Sequence, residues 1–171
     1  DTEKQAPDEL WIDKLSIIEA TKVMLDNQAQ SILAIQRALP EINIIIPKIY
    51  EKLKNNSRSR LIYAGAGTSA RIAVQDAVEL YPTFGWPKNR IDFMIAGGQK
   101  AIISSVEGAE DNTSDVYKTV NDINLSEDDI LIGLAASGNT PFTKECIVAA
   151  NLKKTLSIGI SNNKEGLILK E

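Results

Sequence analysis

From Arg60 onward the chain alternates between two kinds of hydrophobic pattern. Short β-rich apolar runs at 60–64, 91–96, 129–134 and 155–160 are separated by stretches whose apolar residues recur at helical spacing, at about 69–80, 99–105, 113–122 and 141–152. Apolar strands with helices between them indicate a parallel sheet covered on both faces. The expected architecture is therefore α/β: a doubly wound parallel sheet in an αβα sandwich, with the flavodoxin-like order 2-1-3-4. In that order the first and third strands are neighbours, and ligands bind at the switch point between them. A sheet of this type normally has at least one strand more, so the chain is expected to continue past Glu171.

The residues before Arg60 follow a helical pattern only. Ser16-Ile17-Ile18-Glu19 has the form of a capping box, which starts a helix running to about Leu25. A second helix is expected from Gln28 to Leu39. A third starts near Pro40, with Ile42, Ile45, Ile46, Ile49, Tyr50 and Leu53 at helical spacing, and Pro47 should kink it or begin a new segment. Asn55-Asn56-Ser57-Arg58-Ser59 then breaks the pattern. Residues 1–57 are read as a helical segment for packing and dimerisation, and 58–171 as the ligand-binding domain.

Candidate chemistry gathers at two strand ends. In Arg60–Arg71, RLIYAGAGTSAR, the first strand breaks at Gly65-Ala66-Gly67 and a helix begins near Thr68 and Ser69. Such a junction aims unpaired N–H groups, two hydroxyls and a helix dipole at one point, and so favours a phosphate or carboxylate. Glycine there removes the Cβ that would hold an anion away from the backbone. The third strand ends in a junction of the same design, carrying Ser137, Gly138, Asn139 and Thr140 before Pro141. Two hydroxyl-rich loops suggest one anionic ligand held from two sides. The first loop also matches the dinucleotide pattern G-x-G-x-x-A. The second strand, however, ends Met94-Ile95-Ala96-Gly97-Gly98 and lacks the acidic residue that holds a ribose.

Composition narrows the chemistry further. In 171 residues there are 19 basic and 23 acidic side chains, no basic stripe, and no apolar run of the ~18 residues a membrane span needs, which argues against nucleic-acid and membrane partners. A single cysteine, Cys146, fits a reducing cytoplasm and reads as a core residue. With no histidine as well, a zinc site or a His-dependent triad is close to excluded. Proton transfer falls to carboxylates, lysines, tyrosines or hydroxyls. The first residues, DTEKQAPDELW, lack the features of a signal peptide and do not begin with Met, so the chain is read as trimmed at this end.

The segments LIYAGAGTSARIAVQDAVELYPTFGWP, IAGGQKAIISSVEGAEDN and LAASGNTPF closely resemble the N-acetylmuramic acid 6-phosphate etherase family of the sugar isomerase (SIS) superfamily, over about Ile12 to Asn162. The glucokinase regulatory proteins are relatives that bind phosphosugars without the etherase reaction. The resemblance implies a phosphosugar lyase that removes a D-lactyl ether in cell-wall recycling, without metal or redox cofactor. It assigns Glu79 as the acid that protonates the departing lactate oxygen and Glu110 as the base that takes the C2 proton, with Ser69, Ser137 and Thr140 around the phosphate. Three positions depart from the usual pattern. Ala70 replaces Gly, Leu80-Tyr81 replaces Cys-Pro, and Asn139 replaces a common Arg, which removes a positive charge beside the expected phosphate.

The residues themselves agree with that chemistry. An open-chain aldehyde acidifies the C2 proton, and an ether at C3 can then leave by β-elimination, for which an acid and a base suffice. Glu79 is read as standing at a helix end before Pro82, where the dipole disfavours ionisation. Glu107 and Asp111 are near enough to Glu110 to be alternatives to it, and Arg71 serves packing or reaches an anion. Ten helical residues separate Ser69 from Glu79, about 15 Å at ~1.5 Å per residue, more than a hexose phosphate bridges comfortably. The expected assembly is a homodimer with a shared active site. A phosphosugar sensor without catalysis is the alternative, and an aldose-ketose isomerase the third reading.

Overall fold

The computed structural model describes Pro7 and residues 11–171, so the reading made on residues 1–11 lies, apart from Pro7 and Trp11, outside the described residues. The chain divides into two compact units at Glu51 and Lys52. Among the described residues no helix is long and apolar enough to cross a membrane.

The N-terminal unit is dominated by α1 (Ile17–Asn55), which runs on into the first residues of the second unit. Its start is the expected capping box. The Glu19 N–H donates to Ser16 Oγ at 3.3 Å, while Glu19 Oε2 accepts from the Ser16 N–H at 3.0 Å. Ser16 Oγ also donates to Glu19 Oε2 at 2.6 Å, and that bond first, with the one from the Ser16 N–H, holds the Glu19 carboxyl below its usual range. The three expected helices are one helix of 39 residues, with Pro40 and Pro47 inside it. Asp26-Asn27 carries no glycine or proline to end a helix. Each proline deletes a single backbone donor, and the turns on either side keep the rest. None of α1 is buried, and Ile17, Ile18, Met24, Leu25, Ile32 and Ile35 are exposed.

The second unit is built on strands β1 (Leu61–Gly65), β2 (Ile91–Ile95), β3 (Ile130–Leu134) and β4 (Leu156–Ile160). All pairs are parallel, in the order β2-β1-β3-β4, as the hydrophobic pattern implies. Helices α2 (Gly67–Phe84), α3 (Lys100–Ile103), α4 (Ser114–Asp122) and α5 (Pro141–Leu152) connect them. Alternate strand residues face opposite ways. Ile62, Ala64, Met94 and Leu131 pack with Val116 and Val120 of α4 and Cys146, Ile147 and Ala150 of α5. Tyr63, Phe93 and Ile132 pack with Ala73 and Ala77 of α2 on the other face. Both faces are thus covered.

The starts of the strands are tied by a bidentate pair, Arg60 Nε to Asp129 Oδ1 at 2.9 Å and Arg60 Nη2 to Asp129 Oδ2 at 2.8 Å, with Asp92 Oδ2 at 3.4 Å from Nη1. At the opposite end Gly65 is paired with Leu134, so the loops leaving β1 and β3 lie side by side.

Helix α2 is longer than its periodicity implies at both ends. It starts at Gly67, with Ala66 as the N-cap, and runs through Pro82 to Phe84. Gly85, at φ 65°, closes it by donating its N–H to the Tyr81 carbonyl at 2.9 Å, and the Trp86 N–H reaches the Leu80 carbonyl at 3.2 Å. Glu79 therefore stands five residues inside the helix. The dipole effect expected for it falls off within the last turn and does not reach that far.

Candidate functional site

The first loop leaves a helix terminus open. Ala66 has no side chain with which to cap α2, and among the described residues no acceptor meets the N–H groups of Gly67, Thr68 and Ser69. The Thr68 and Ser69 hydroxyls are likewise unengaged among the described residues. The two glycines do different work. A Cβ on Gly65 would meet Ala70 N at 3.1 Å and Leu134 O at 3.3 Å, so Gly65 lets α2 approach the ends of β1 and β3. Gly67 has a φ of +53° and nothing within 4 Å of a built Cβ, which leaves clear space over the helix terminus.

Beside that space lies a cleft of about 180 Å³. It is lined by Gly67 and Arg71 of α2 and by Ser104, Ser105, Glu107, Gly108 and Glu110 of the segment after α3. Glu110 is exposed, and among the described residues nothing bonds its carboxylate. Its backbone is held, because the Glu110 carbonyl accepts the Phe142 N–H at 2.9 Å. That contact joins the VEGAED loop to the first turn of α5. Of the neighbouring acids, Glu107 also borders the cleft and accepts from Ser105 Oγ at 3.0 Å, whereas Asp111 does not border it. Glu79 does not border it either and lies exposed on α2, near exposed Ile72, Val78 and Tyr81. The structure thus brings Gly67 and Glu110 together and leaves Glu79 apart.

The second loop is more occupied than its composition suggests. Ser137 Oγ accepts the Asn139 N–H at 3.1 Å, and Asn139 Oδ1 accepts the Leu167 N–H at 3.1 Å. The Ser137 carbonyl takes Asn163 Nδ2 at 3.0 Å, and the Gly138 carbonyl takes the Ile168 N–H at 3.0 Å. Residues 161–169 therefore fold over this loop, and Ile168 is buried beneath them. Asn139, which stands where a cation was expected, serves as an anchor for that segment. Among the described residues nothing engages the hydroxyl of Thr140, the N-cap of α5, but Pro141 offers no N–H and that of Phe142 is already used. The apolar GLILK run was the available signal for this cover, and sequence reasoning assigned it no element. Among the described residues no three His, Cys, Asp or Glu side chains gather where a metal could be held.

Gly138, at φ +74°, lies where a Cβ would stand 2.5 Å from Gly166 Cα and 2.6 Å from Ser161 Oγ. Gly138→Ala is expected to destabilise the protein by about 3 kcal/mol, from backbone strain and overpacking together. Urea unfolding measures the loss, and earlier proteolytic cutting within 161–169 would show that the cover has lifted.

A family model described as the glucokinase regulatory protein N-terminal SIS domain matches residues 44–156. The chain belongs to this SIS family. Among curated relatives, the N-acetylmuramic acid 6-phosphate etherase of Mycoplasma mycoides subsp. mycoides is 42% identical over 94% of the chain and 52% of the relative. That of Psychromonas ingrahamii is 40% identical over 99% of the chain and 56% of the relative. The chain spans about half the length of the curated relatives it matches. Among solved structures, a phosphoheptose isomerase from Francisella tularensis superposes with a TM-score of 0.70 at 17% identity, covering 91% of this chain and 81% of that one. At that identity the likeness concerns the SIS fold alone.

Proposed function

We propose that this SIS chain belongs to a cytoplasmic lyase that cleaves the D-lactyl ether of N-acetylmuramic acid 6-phosphate, giving N-acetylglucosamine 6-phosphate and D-lactate. The carrying observation is that Glu110 and the uncapped terminus at Gly67 border one cleft. The phosphate would sit on the N–H groups of Gly67, Thr68 and Ser69, with their hydroxyls and those of Ser137 and Thr140 nearby. In the open-chain sugar the Glu110 carboxylate takes the C2 proton. The C2–C3 double bond forms as the C3–O bond breaks, and an acid protonates the departing lactate oxygen. Water then adds its hydroxyl at C3 and a proton at C2, so atoms balance without a redox step.

The acid is assigned to Glu79 of a second copy. Along the continuous α2, Ser69 and Glu79 are separated by about 15 Å at ~1.5 Å per residue, and Glu79 does not border the cleft. The cleft, at about 180 Å³, is smaller than the roughly 300–1,000 Å³ of ordinary ligand pockets, as a half-site would be. Exposed Ile72, Val78 and Tyr81 beside Glu79, and the unburied apolar positions of α1, offer the surface for a homodimer.

The test is to incubate the protein with N-acetylmuramic acid 6-phosphate and assay D-lactate. Release supports the lyase. Phosphate-dependent binding without release would replace this reading by a sensor, and aldose-ketose interconversion would replace it by an isomerase.

A further inference from the structure

Arg71 stands one turn into α2, half-buried, in the lining of the cleft that Glu110 also borders. Its guanidinium donates only to neutral groups, from Nε to the carbonyls of Ala101 at 3.2 Å and Ile102 at 3.1 Å, and from Nη2 to that of Ser104 at 3.4 Å. Among the described residues no carboxylate lies within ion-pair distance of it. The other half-buried arginines are accounted for. Arg60 is neutralised by Asp129 and Asp92. Arg90 donates from Nε to the Ser59 carbonyl and from Nη2 to those of Leu53 and Asn56, lies against the ring of Trp86, and does not border this cleft. A guanidinium carries five N–H donors, and the carbonyl bonds leave the Nη1 pair of Arg71 unused. Anchoring the 101–104 turn explains the bonds that are made. It does not explain a cation left uncompensated at the edge of a cleft.

We propose that Arg71 binds the carboxylate of the substrate's lactyl group and so sets the preference for a sugar carrying that group. The inference rests on the lyase reading above. N-acetylmuramic acid 6-phosphate has two anionic groups, the phosphate at C6 and the carboxylate of the substituent on C3, the carbon next to the one whose proton Glu110 would take. The first loop accounts for the phosphate. Among the described residues Arg71 is the only cation bordering the cleft, and its planar fork matches a carboxylate. The three carbonyl bonds hold the plane of that fork, so its unused edge is oriented before substrate arrives. The product has lost the lactyl carboxylate and its hold on Arg71, which favours release after each turnover.

The experiment compares wild type, Arg71→Gln and Arg71→Lys, with KM for N-acetylmuramic acid 6-phosphate and Kd for N-acetylglucosamine 6-phosphate measured on each. Removing a charge-assisted fork is expected to raise the first constant about 10- to 100-fold in Arg71→Gln while leaving the second within about threefold. Lysine keeps the charge without the fork and recovers part of the difference. Retained product binding also shows that the variant is folded and its loop in place. Equal loss for both sugars would overturn the proposal in favour of loop anchoring. A larger loss for the product or for inorganic phosphate would move Arg71 to the phosphate, and no change in either constant would also overturn it. D-lactate release by the wild type reports on the lyase reading independently, so failure of that reading and failure of the Arg71 assignment give different results.

Discussion

Glu110→Gln is expected to lower D-lactate release by about 10²- to 10⁴-fold, the range for loss of a positioned general base, while product affinity stays within about threefold. Glutamine keeps the size of the side chain but cannot take up the C2 proton. The change also spares what holds the loop, because the contact to α5 is made by the main-chain carbonyl of residue 110 to the Phe142 N–H at 2.9 Å. A fall in rate would therefore report on chemistry and not on a displaced loop. The neighbouring acids serve as internal controls. Glu107 borders the same cleft but has its carboxylate engaged by Ser105, and Asp111 does not border it. Glu107→Gln and Asp111→Asn are expected to change the rate less than tenfold, well short of the loss of a general base. If either matched the Glu110 variant, the base would have to be reassigned.

The α/β half of the molecule was legible because its signals are short-range and repetitive. Each strand is an apolar run bounded by turn residues, and each begins and ends within about a residue of its pattern. The strand order was assumed from the doubly wound type, since the alternation gives parallel strands without ordering them, and the structure has that order. Errors arose where local punctuation was taken as decisive. Pro40 was read as a helix start and Pro47 as a kink or a new segment, yet α1 runs through both without a break. Pro82 was read as a stop, yet α2 passes it and is closed by Gly85. In each case a proline removes one donor, which a helix with intact turns on both sides absorbs.

At the site, legibility depended on whether a residue's partner was close in sequence. The open terminus at Gly67 is a local feature and was visible in the GAGTS run. The partner of the Asn139 side chain is Leu167, those of Arg71 lie in 101–104, and no periodicity links such pairs. Asn139 thus looked like a missing cation when it serves as a tether. Arg71 looked like packing, although its charge is left uncompensated beside the cleft.

Mixing two inactive variants is expected to restore activity, and this tests the shared site directly. Gly67→Asp would disable the phosphate loop at the modest strain that a side chain meets at a positive φ. A Cβ there meets nothing within 4 Å, aspartate tolerates the local φ of +53°, and its carboxylate repels an incoming phosphate. Glu79→Gln would remove the acid while leaving α2 intact. If each site takes its loop from one copy and Glu79 from the other, a mixed dimer contains one doubly defective site and one with no defect. Random pairing makes half of the dimers mixed, so co-expression should recover about a quarter of wild-type D-lactate release from two variants that are each nearly inactive alone. A site completed within one chain gives a different result, because every site in the mixture then carries one defect or the other and activity stays at the level of the separate variants. That outcome would require Glu79 to approach its own cleft across a span of about 15 Å of helix at ~1.5 Å per residue, and the acid would then have to be sought among the residues that border the cleft.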